Sequence, residues 1–232
     1  MPLHITDYSD EILHNISFRL EAGSHLCILG ANGAGKTTLA KVLCGLIDTK
    51  AVTIDGKLLH DLHGTARAKV VNYIPAKLEI FDTHMSVEEL LALSHFDTAL
   101  HIGDALERLQ IAHLQEHPCR TLSSGESQLV LTASALLHNA RYTLFDEPTA
   151  NLDPMRMRTL FALLSDEHVL KSKIVITHNL ELAFKLGFDI LYLEEGRIRF
   201  YGSAERFFAQ SQLDALYHGS VKNLGDHVVV SL

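Results

Sequence analysis

Residues 30–37 have the composition and spacing of a loop that binds phosphate groups. Glycines and small residues lead there to Lys36 and Thr37, in the pattern Gly-x-x-x-x-Gly-Lys-Thr. Glycine lets the backbone approach a ligand closely, and the first N–H groups of a following helix attract negative charge. Lys36 offers a positive charge to the β- and γ-phosphates, and the Thr37 hydroxyl can ligate Mg²⁺. The run predicts a nucleotide site; the alternative is a glycine-rich turn without a ligand.

Polar groups also follow two apolar runs elsewhere in the chain. Asp146 and Glu147 come directly after residues 142–145, and His178 comes directly after residues 173–177. In a parallel sheet the carboxyl ends of the strands share one edge, where ligands bind. There Asp146 can hold Mg²⁺ directly or through water, Glu147 can polarise an attacking water, and His178 can contact a γ-phosphate. The alternative interpretation is ordinary strand ends with polar residues in the following turns.

A second anion site is predicted at Ser123, where the hydropathy pattern starts a helix near residue 124. Ser123 and the N–H groups of the first helical turn can bind negative charge. This site cannot obviously serve the same phosphate as Lys36. Two phosphate sites in one chain therefore suggest that they meet across a dimer.

Strands alternating with helices predict the elements that position these residues. We expect a parallel α/β core, with antiparallel strands near the N-terminus and a mostly helical insertion over residues 77–140. The core is then formed by residues 1–76 and 141–232. Strands are predicted at 3–8, 12–20, 25–29, 51–54, 57–59, 69–74, 142–145, 173–177, 189–193 and 197–201, and helices at 38–45, 86–93, 102–111, 124–138, 180–186, 203–209 and after Pro154.

Composition excludes some classes of protein. The chain has 232 residues, 47% hydrophobic and 21% charged, which suits a globular protein of one or two compact units. It has no run of 18 apolar residues, and its first residues lack the pattern of a signal peptide, so a cytoplasmic location is expected. The formal net charge of −8, without a dense Lys/Arg block, argues against nucleic acid as the main partner.

Cysteines and histidines give no clear metal or disulfide pattern. No Cys-x-x-Cys spacing occurs, so neither a disulfide framework nor a zinc ribbon is indicated. We expect Cys27 and Cys44 in the core and Cys119 as a lone thiol on a loop. Among the 15 histidines, the pairs at positions 60 and 63 and at positions 113 and 117 have spacings that could hold a metal, but surface histidines are the favoured interpretation.

The motifs, taken in order, resemble those of the ATP-binding subunits of ABC transporters over nearly the whole chain. The phosphate loop is followed by a signature-like sequence at residues 122–126, by the Asp146-Glu147 pair, by a D-loop at residues 148–153 and by a switch histidine at Thr177-His178. One such motif is weak evidence, whereas the ordered set is specific. The resemblance implies a single ABC ATPase domain of the P-loop NTPase fold, with a RecA-like parallel sheet.

The resemblance also implies roles for individual residues. It implies ATP and Mg²⁺ as cofactors, and a head-to-tail homodimer in which each ATP lies between the phosphate loop of one copy and Ser123 of the other. Catalysis would depend on Glu147 and His178, and Mg²⁺ on Thr37 and Asp146. The implied nucleotide-binding residues are Tyr8, which would stack on adenine, Asn32, Gly33, Ala34, Gly35, Lys36, Thr37, Thr38, Ser123, Gly125 and Asp153.

As in the family, the dimer would drive a membrane permease and be attached through it to the cytoplasmic face of the membrane. Residues 213–230 and 83–93 are similar to ATPases of iron-siderophore, haem and cobalamin importers, which also employ a solute-binding protein. In that family the permease docks near residues 76–86. Phe81 and Met85 could supply apolar contacts there, with a core role equally open.

Some positions depart from the family pattern. Ala76 replaces an expected glutamine that touches Mg²⁺ and the attacking water, and a methyl group can do neither. Ser124, Glu126 and Leu129 replace an expected glycine, glutamine and arginine. We therefore expect ATP binding with slow hydrolysis or altered coupling to the permease.

Three alternatives stay open at this point. The chain could be an ATP-gated dimerising module with weak or no hydrolysis, although Lys36, Asp146, Glu147 and His178 are intact. It could serve an exporter, which only its permease would reveal. A soluble ABC ATPase acting on DNA or ribosomes is disfavoured, because such chains usually carry a coiled coil, a basic arm or a second ATPase unit.

Overall fold

The computed structural model describes residues 2–79, 82, 84–96, 98–150 and 152–230. The chain divides into two compact units. The first comprises Met1–Leu62 and Ile174–Leu232, and the second comprises His63–Lys173. The predicted helical insertion lies within the second unit; its exact bounds stay a prediction.

The elements of the described residues follow the alternating order expected from the sequence. The strands are β1 (Leu3–Tyr8), β2 (Ile16–Leu20), β3 (Leu26–Leu29), β4 (Val52–Ile54), β5 (Lys57–Leu58), β6 (Val71–Ile74), β7 (Tyr142–Asp146), β8 (Ser172–Ile176), β9 (Asp189–Glu194), β10 (Arg197–Gly202), β11 (Val221–Asn223) and β12 (Val228–Val230). The helices are α1 (Lys36–Leu43), α2 (Gly64–Ala68), α3 (Val87–Ser94), α4 (Ile102–Arg108), α5 (Ser124–His138), α6 (Pro154–Ser165), α7 (Leu180–Leu186), α8 (Ala204–Phe207) and α9 (Gln210–Tyr217).

The first unit contains an antiparallel sheet and a mixed sheet. The antiparallel strands run in the order β2-β1-β4-β5, which confirms the antiparallel region expected near the N-terminus. In the mixed sheet β3 is parallel to both β8 and β9, and β10 is antiparallel to β9. All four residues of β3 are buried, as expected for a parallel strand covered on both faces. This strand leads into the phosphate loop.

The second unit combines parallel strands with helices. Strands β6 and β7 pair in parallel, with Val71 opposite Tyr142 and Ile74 opposite Phe145. Helix α5 is its main buried element, and helices α3 and α4 pack against α5. Ser86 caps α3 in the predicted capping box, since its hydroxyl oxygen accepts from the N–H of Glu89. The α/β fold class with helical elements is confirmed.

The predicted strand over residues 12–20 is wrong in its first half, because the strand begins at Ile16. The side chain of Asp10 accepts hydrogen bonds from the N–H groups of Ile12 at 2.8 Å and Leu13 at 2.6 Å. These bonds hold residues 9–15 in a loop, in which the Leu13 side chain is completely buried. A local side-chain contact thus overrides the apolar alternation.

Three other predictions need correction. Helix α4 ends at Arg108 rather than residue 111, because Gln110 has a left-handed φ of 60°. The predicted helix at 203–209 is shorter, and the chain continues from it into α9. The strand predicted from residue 69 starts at Val71 and follows the unpredicted helix α2. Cys119, predicted as a lone thiol on a loop, begins a 3₁₀ turn and is 4% exposed.

Candidate nucleotide-binding site

The phosphate loop has a backbone that only glycine can adopt at two positions. A Cβ atom on Gly30 would lie 2.2 Å from the carbonyl oxygen of Leu193, and one on Gly35 would lie 2.7 Å from Cδ2 of Leu13. Gly35 also has a left-handed φ of 98° immediately before helix α1. Residues that pack against the loop, such as Leu193 and Leu13, therefore leave no room for a side chain at Gly30 and Gly35. The glycines in the loop are thus required by packing as well as by the close approach of a ligand.

Lys36 is held inside this loop. Its side chain is buried, and Nζ donates to the carbonyl oxygens of Gly30 at 2.8 Å and Ala31 at 2.9 Å. These bonds satisfy an ammonium group that would otherwise be costly to bury. The charge therefore sits where phosphate oxygens would bind at the N-terminus of α1. Of the other predicted loop residues, Asn32, Gly33 and Thr37 are exposed, Gly35 and Thr38 are half-buried and Ala34 is buried.

Tyr8, the predicted adenine-stacking residue, is only 8% exposed. Its hydroxyl donates to Oδ2 of Asp10 at 2.8 Å, and burial raises its pKa to about 12. The side chain that offers apolar surface beside the phosphate loop is Ile12, which is 47% exposed and packs against Gly35. Sequence analysis missed Ile12 because it assigned this residue to a strand.

His178 follows strand β8 on the same unit as Lys36. The N–H of Thr177 donates to the carbonyl oxygen of Ile28 on β3 at 3.1 Å. Because β3 and β8 are parallel neighbours, the phosphate loop and His178 both follow strand ends at one edge of the sheet. His178 is exposed, and Asn179 caps the helix that follows by accepting from the N–H of Leu182.

Asp146 and Glu147 lie at the end of strand β7 in the second unit. Asp146 is 3% exposed, and one of its carboxylate oxygens accepts from the hydroxyl of Tyr73 at 2.8 Å. Glu147 is half-buried with a φ of 47°, a conformation that is costly for a residue with a Cβ atom. Tyr73, on the adjacent strand β6, is a positioning partner that sequence analysis missed.

Ser123 caps helix α5 in a reciprocal arrangement with Glu126. The N–H of Ser123 donates to Glu126 Oε2 at 2.8 Å and its hydroxyl donates to the same oxygen at 2.7 Å, while Ser123 Oγ accepts from the N–H of Glu126. These hydrogen bonds from Ser123 hold the pKa of the Glu126 carboxyl below its ordinary value. Ser123 is exposed and Gly125 is buried.

The D-loop ends at Asp153, which caps helix α6. Its Oδ1 accepts from the N–H groups of Met155 and Arg156, both at 3.0 Å. The guanidinium of Arg156 donates to Asp153 at 3.2 Å and to Glu126 at 3.1 Å. Two predicted motifs, the signature and the D-loop, are thereby joined by one arginine within the second unit.

Ala76 is exposed shortly after strand β6. It lines a cavity of about 410 Å³ in the second unit together with Lys77, Arg120, Ser124 and Gln128. Met85 is half-buried, and its carbonyl oxygen accepts from the N–H of Cys119. Phe81 lies outside the described residues.

The histidine pairs are distributed differently from a metal centre. His60 contacts Asp48 at 2.5 Å, and its predicted companion His63 is exposed. His113 and His117 are both exposed. Within the described ranges, His, Cys, Asp and Glu side chains form no cluster of three or more that could hold a metal ion.

Comparison with known proteins identifies the family. The family model described as ABC transporter matches residues 13–150, which include the phosphate loop, the signature and the Asp146-Glu147 pair. This chain belongs to the ABC transporter family, as an ATP-binding subunit. The zinc import ATP-binding protein ZnuC of Photorhabdus laumondii is 33% identical over 187 residues, covering 79% of this chain and 69% of that protein.

Other similar proteins show how widely the domain is used. A protein of Treponema denticola, provisionally named an ABC transporter ATP-binding protein, is 33% identical over 195 residues, and the match spans 82% of this chain but only 39% of that protein. Among solved structures, a transporter described as of the metal-chelate type has a TM-score of 0.78 at 21% identity, covering 99% of this chain and 97% of that one. A bacterial Atm1-family ABC exporter with ATP bound has a TM-score of 0.80 at 25% identity, covering 93% of this chain and 41% of that one.

In the described part of the chain, none of the helices is both long and apolar enough to cross a bilayer.

Proposed function

We propose that this chain hydrolyses ATP to ADP and phosphate and thereby energises an importer of metal ions or metal chelates. The observation that carries the proposal is the phosphate loop, in which packing fixes the glycines and backbone carbonyls hold the Lys36 ammonium in place. A positive charge at a helix N-terminus, on a glycine backbone, is suited to polyphosphate. Phosphate oxygens would replace the carbonyl oxygens as partners of Lys36.

The oxygen donors fit Mg²⁺. Thr37 offers a hydroxyl and Asp146 a carboxylate, and Mg²⁺ prefers such oxygen ligands alongside phosphate and water. The Tyr73 hydroxyl donates to the Asp146 carboxylate and so helps to orient the group that would bind the metal. Bound Mg²⁺ would neutralise charge on the β- and γ-phosphates.

Glu147 and His178 are the proposed catalytic groups. Glu147 would accept a hydrogen bond and then a proton from the attacking water, whose oxygen forms the new bond to the γ-phosphorus as the bond to ADP breaks. His178, on the edge shared with the phosphate loop, would contact the γ-phosphate and so distinguish ATP from ADP. The left-handed backbone at Glu147 sets the direction of its side chain.

A second copy of the chain is the proposed partner in ATP binding. Ser123, Gly125 and Asp153 would contact the ATP held by the phosphate loop of the other copy in a head-to-tail dimer. Ser123 and the N-terminus of α5 supply a hydroxyl and a positive helix end for a phosphate. We further propose that permease subunits attach the dimer to the cytoplasmic face of the membrane, with a solute-binding protein outside and no role for nucleic acid.

The proposed direction of transport, import, and the proposed class of solute rest on two similarities. One is the identity with a zinc import protein, and the other is the shared fold with the metal-chelate type transporter. The test is to purify the chain with its permease from native membranes and to measure ATP-dependent uptake of radioactive zinc and iron-siderophore into proteoliposomes. Uptake of either supports import of that solute class. ATP-dependent extrusion instead would assign the chain to an exporter.

Because residue 76 is alanine, we expect this chain to hydrolyse ATP slowly. The methyl group can neither ligate Mg²⁺ nor hydrogen-bond to water, so Ala76→Gln should raise kcat severalfold and leave the KM for ATP nearly unchanged. Lys77→Gln, which places the same amide one residue further along, is the matched control and should give no gain. Equal rates in native and Ala76→Gln protein would show that residue 76 does not limit hydrolysis.

The ATP-gated dimerising module is the second candidate, and Ala76 is the observation that favours it. In that case ATP would induce dimers in the native protein, yet the chain would not hydrolyse ATP even when assembled with its permease. Hydrolysis by the assembled complex would exclude it.

A further inference from the structure

A bridge of charged groups joins the capping turn of α5 to that of α6. Glu126 binds Ser123 through one carboxylate oxygen and Arg156 through the other, at 3.1 Å. Arg156 in turn binds Asp153 at 3.2 Å. The side chains of Glu126 and Arg156 are 22% and 34% exposed, so solvent screens this pair only partly.

This bridge bears on an electrostatic problem within the proposed dimer. Glu126 places a carboxylate in hydrogen-bond contact with Ser123, the residue proposed to contact the ATP of the other copy. Like charges repel each other, so this carboxylate would oppose closure on the ATP phosphates. The hydrogen bonds from Ser123 lower the pKa of Glu126, so the carboxylate is ionised at neutral pH.

Arg156 is the cation in direct contact with Glu126. Its guanidinium reaches both carboxylates with two separate nitrogens, Nη1 to Asp153 and Nη2 to Glu126. Such a forked contact fixes geometry as well as neutralising charge. Loss of Arg156 would leave Glu126 without its contacting cation and would remove the side-chain partner of Asp153.

We propose that Arg156 is a positioning residue that compensates the charge of Glu126, so that Ser123 and Asp153 can approach the ATP of a second copy. This inference rests on the head-to-tail dimer of the proposed function. Arg156 itself need not touch ATP, because it acts through the two capping turns. A neutral glutamine at position 126 would need no such compensation. The effect of losing Arg156 should therefore disappear when Glu126 is also replaced by glutamine.

The test measures ATP-induced dimerisation by sedimentation velocity in full-length protein carrying Glu147→Gln to block hydrolysis. Arg156→Gln should raise the ATP concentration for half-maximal dimerisation by about tenfold, because the Glu126 carboxylate, without its contacting cation, would repel the phosphates of the second copy's ATP. Adding Glu126→Gln to Arg156→Gln should restore most of this loss. Arg156→Lys, which keeps the charge, should lose less. Arg158→Gln is the matched control, an exposed arginine two residues along the same helix.

The outcomes separate the two proposals. If the Glu147→Gln parent stays monomeric with ATP, the proposed dimer fails, and this inference fails with it. If the parent dimerises and Arg156→Gln dimerises equally well, only this inference is overturned. A double variant no better than Arg156→Gln also overturns it, because a merely structural role of Arg156 would not be rescued by removing the opposite charge. Binding of a fluorescent ATP analogue to the monomer shows that each variant is folded.

Discussion

Ile12 exposes nearly half of its surface beside the phosphate loop, whereas Tyr8 is buried and hydrogen-bonded to Asp10. A base that stacks needs an accessible apolar surface, so at the scale of single residues Ile12 is better placed to pack against adenine. We predict that Ile12→Ala raises the Kd for ATP about fivefold, from roughly 1 kcal/mol of lost apolar contact. Tyr8→Leu, which removes the aromatic ring, should leave the Kd unchanged.

Calorimetric titration checks this prediction. Inorganic triphosphate is the control ligand, because it carries the phosphates without a base, and its affinity should be the same in native and Ile12→Ala protein. A loss of ATP affinity in Tyr8→Leu, with none in Ile12→Ala, would return the adenine contact to Tyr8.

The same residues show what sequence could predict. Local spacing placed Lys36 at the start of a helix and Asp146 at the end of a strand, because strand, glycine loop and helix follow one another directly. The hydrogen bond from Tyr73 to Asp146 joins residues 73 positions apart, and that from Arg156 to Glu126 joins residues 30 positions apart. Such partners depend on tertiary packing, which periodicity and motif spacing do not encode.

At the scale of elements, two helices share one capping arrangement but differ in proposed function. Ser86 caps α3 with Glu89, and Ser123 caps α5 with Glu126. Ser86→Ala and Ser123→Ala should each lower the free energy of unfolding by about 1 kcal/mol. Only Ser123→Ala should also weaken ATP-induced dimerisation, since only Ser123 is proposed to meet a phosphate.

Urea unfolding and sedimentation in the Glu147→Gln background provide the two measurements. Ser86→Ala serves as the matched control for cap loss alone. Equal impairment of dimerisation by both variants would mean that Ser123 contributes stability and no phosphate contact.

The C-terminal hairpin of β11 and β12 is anchored to helix α7 through Glu181. This carboxylate accepts from the N–H of Val228 at 2.8 Å and contacts Nδ1 of His227 at 2.7 Å. Partial burial acts to raise the pKa of Glu181, but the bonds from Val228 and His227 outweigh it and hold that pKa below its ordinary value. A depressed carboxyl pKa gives stability that is present above the unfolded value, about 4.3, and is lost as pH falls through the folded value.

Hydrogen exchange tests this anchor. Glu181→Gln should speed amide exchange in residues 221–230 at pH 7, and the difference from native protein should shrink as pH falls below about 4, where the native carboxyl is protonated too. Glu205→Gln, an exposed glutamate on α8, is the control. Unchanged exchange in Glu181→Gln would show that the hairpin is held by its apolar contacts alone.

At the scale of the whole molecule, membership of the family establishes that the chain is an ATP-binding subunit, but it does not establish which solute is transported. The chain shares sequence with a zinc import protein and its fold with an exporter at a TM-score of 0.80. In the proposed assembly this ATPase domain would deliver work to a permease, and solute specificity would belong to the membrane and binding subunits. The sequence therefore predicted the fold and the family of ATP-binding subunits, because both are encoded in this chain.

The measurement that tests the account most directly is ATP hydrolysis by the purified chain with Mg²⁺, compared with Glu147→Gln. We predict slow but measurable release of phosphate that falls by about a hundredfold or more in Glu147→Gln, as expected for loss of a general base. Glu116→Gln, an exposed glutamate away from the proposed catalytic groups, should keep the native rate. Hydrolysis that persists at the native rate in Glu147→Gln would contradict the proposed mechanism.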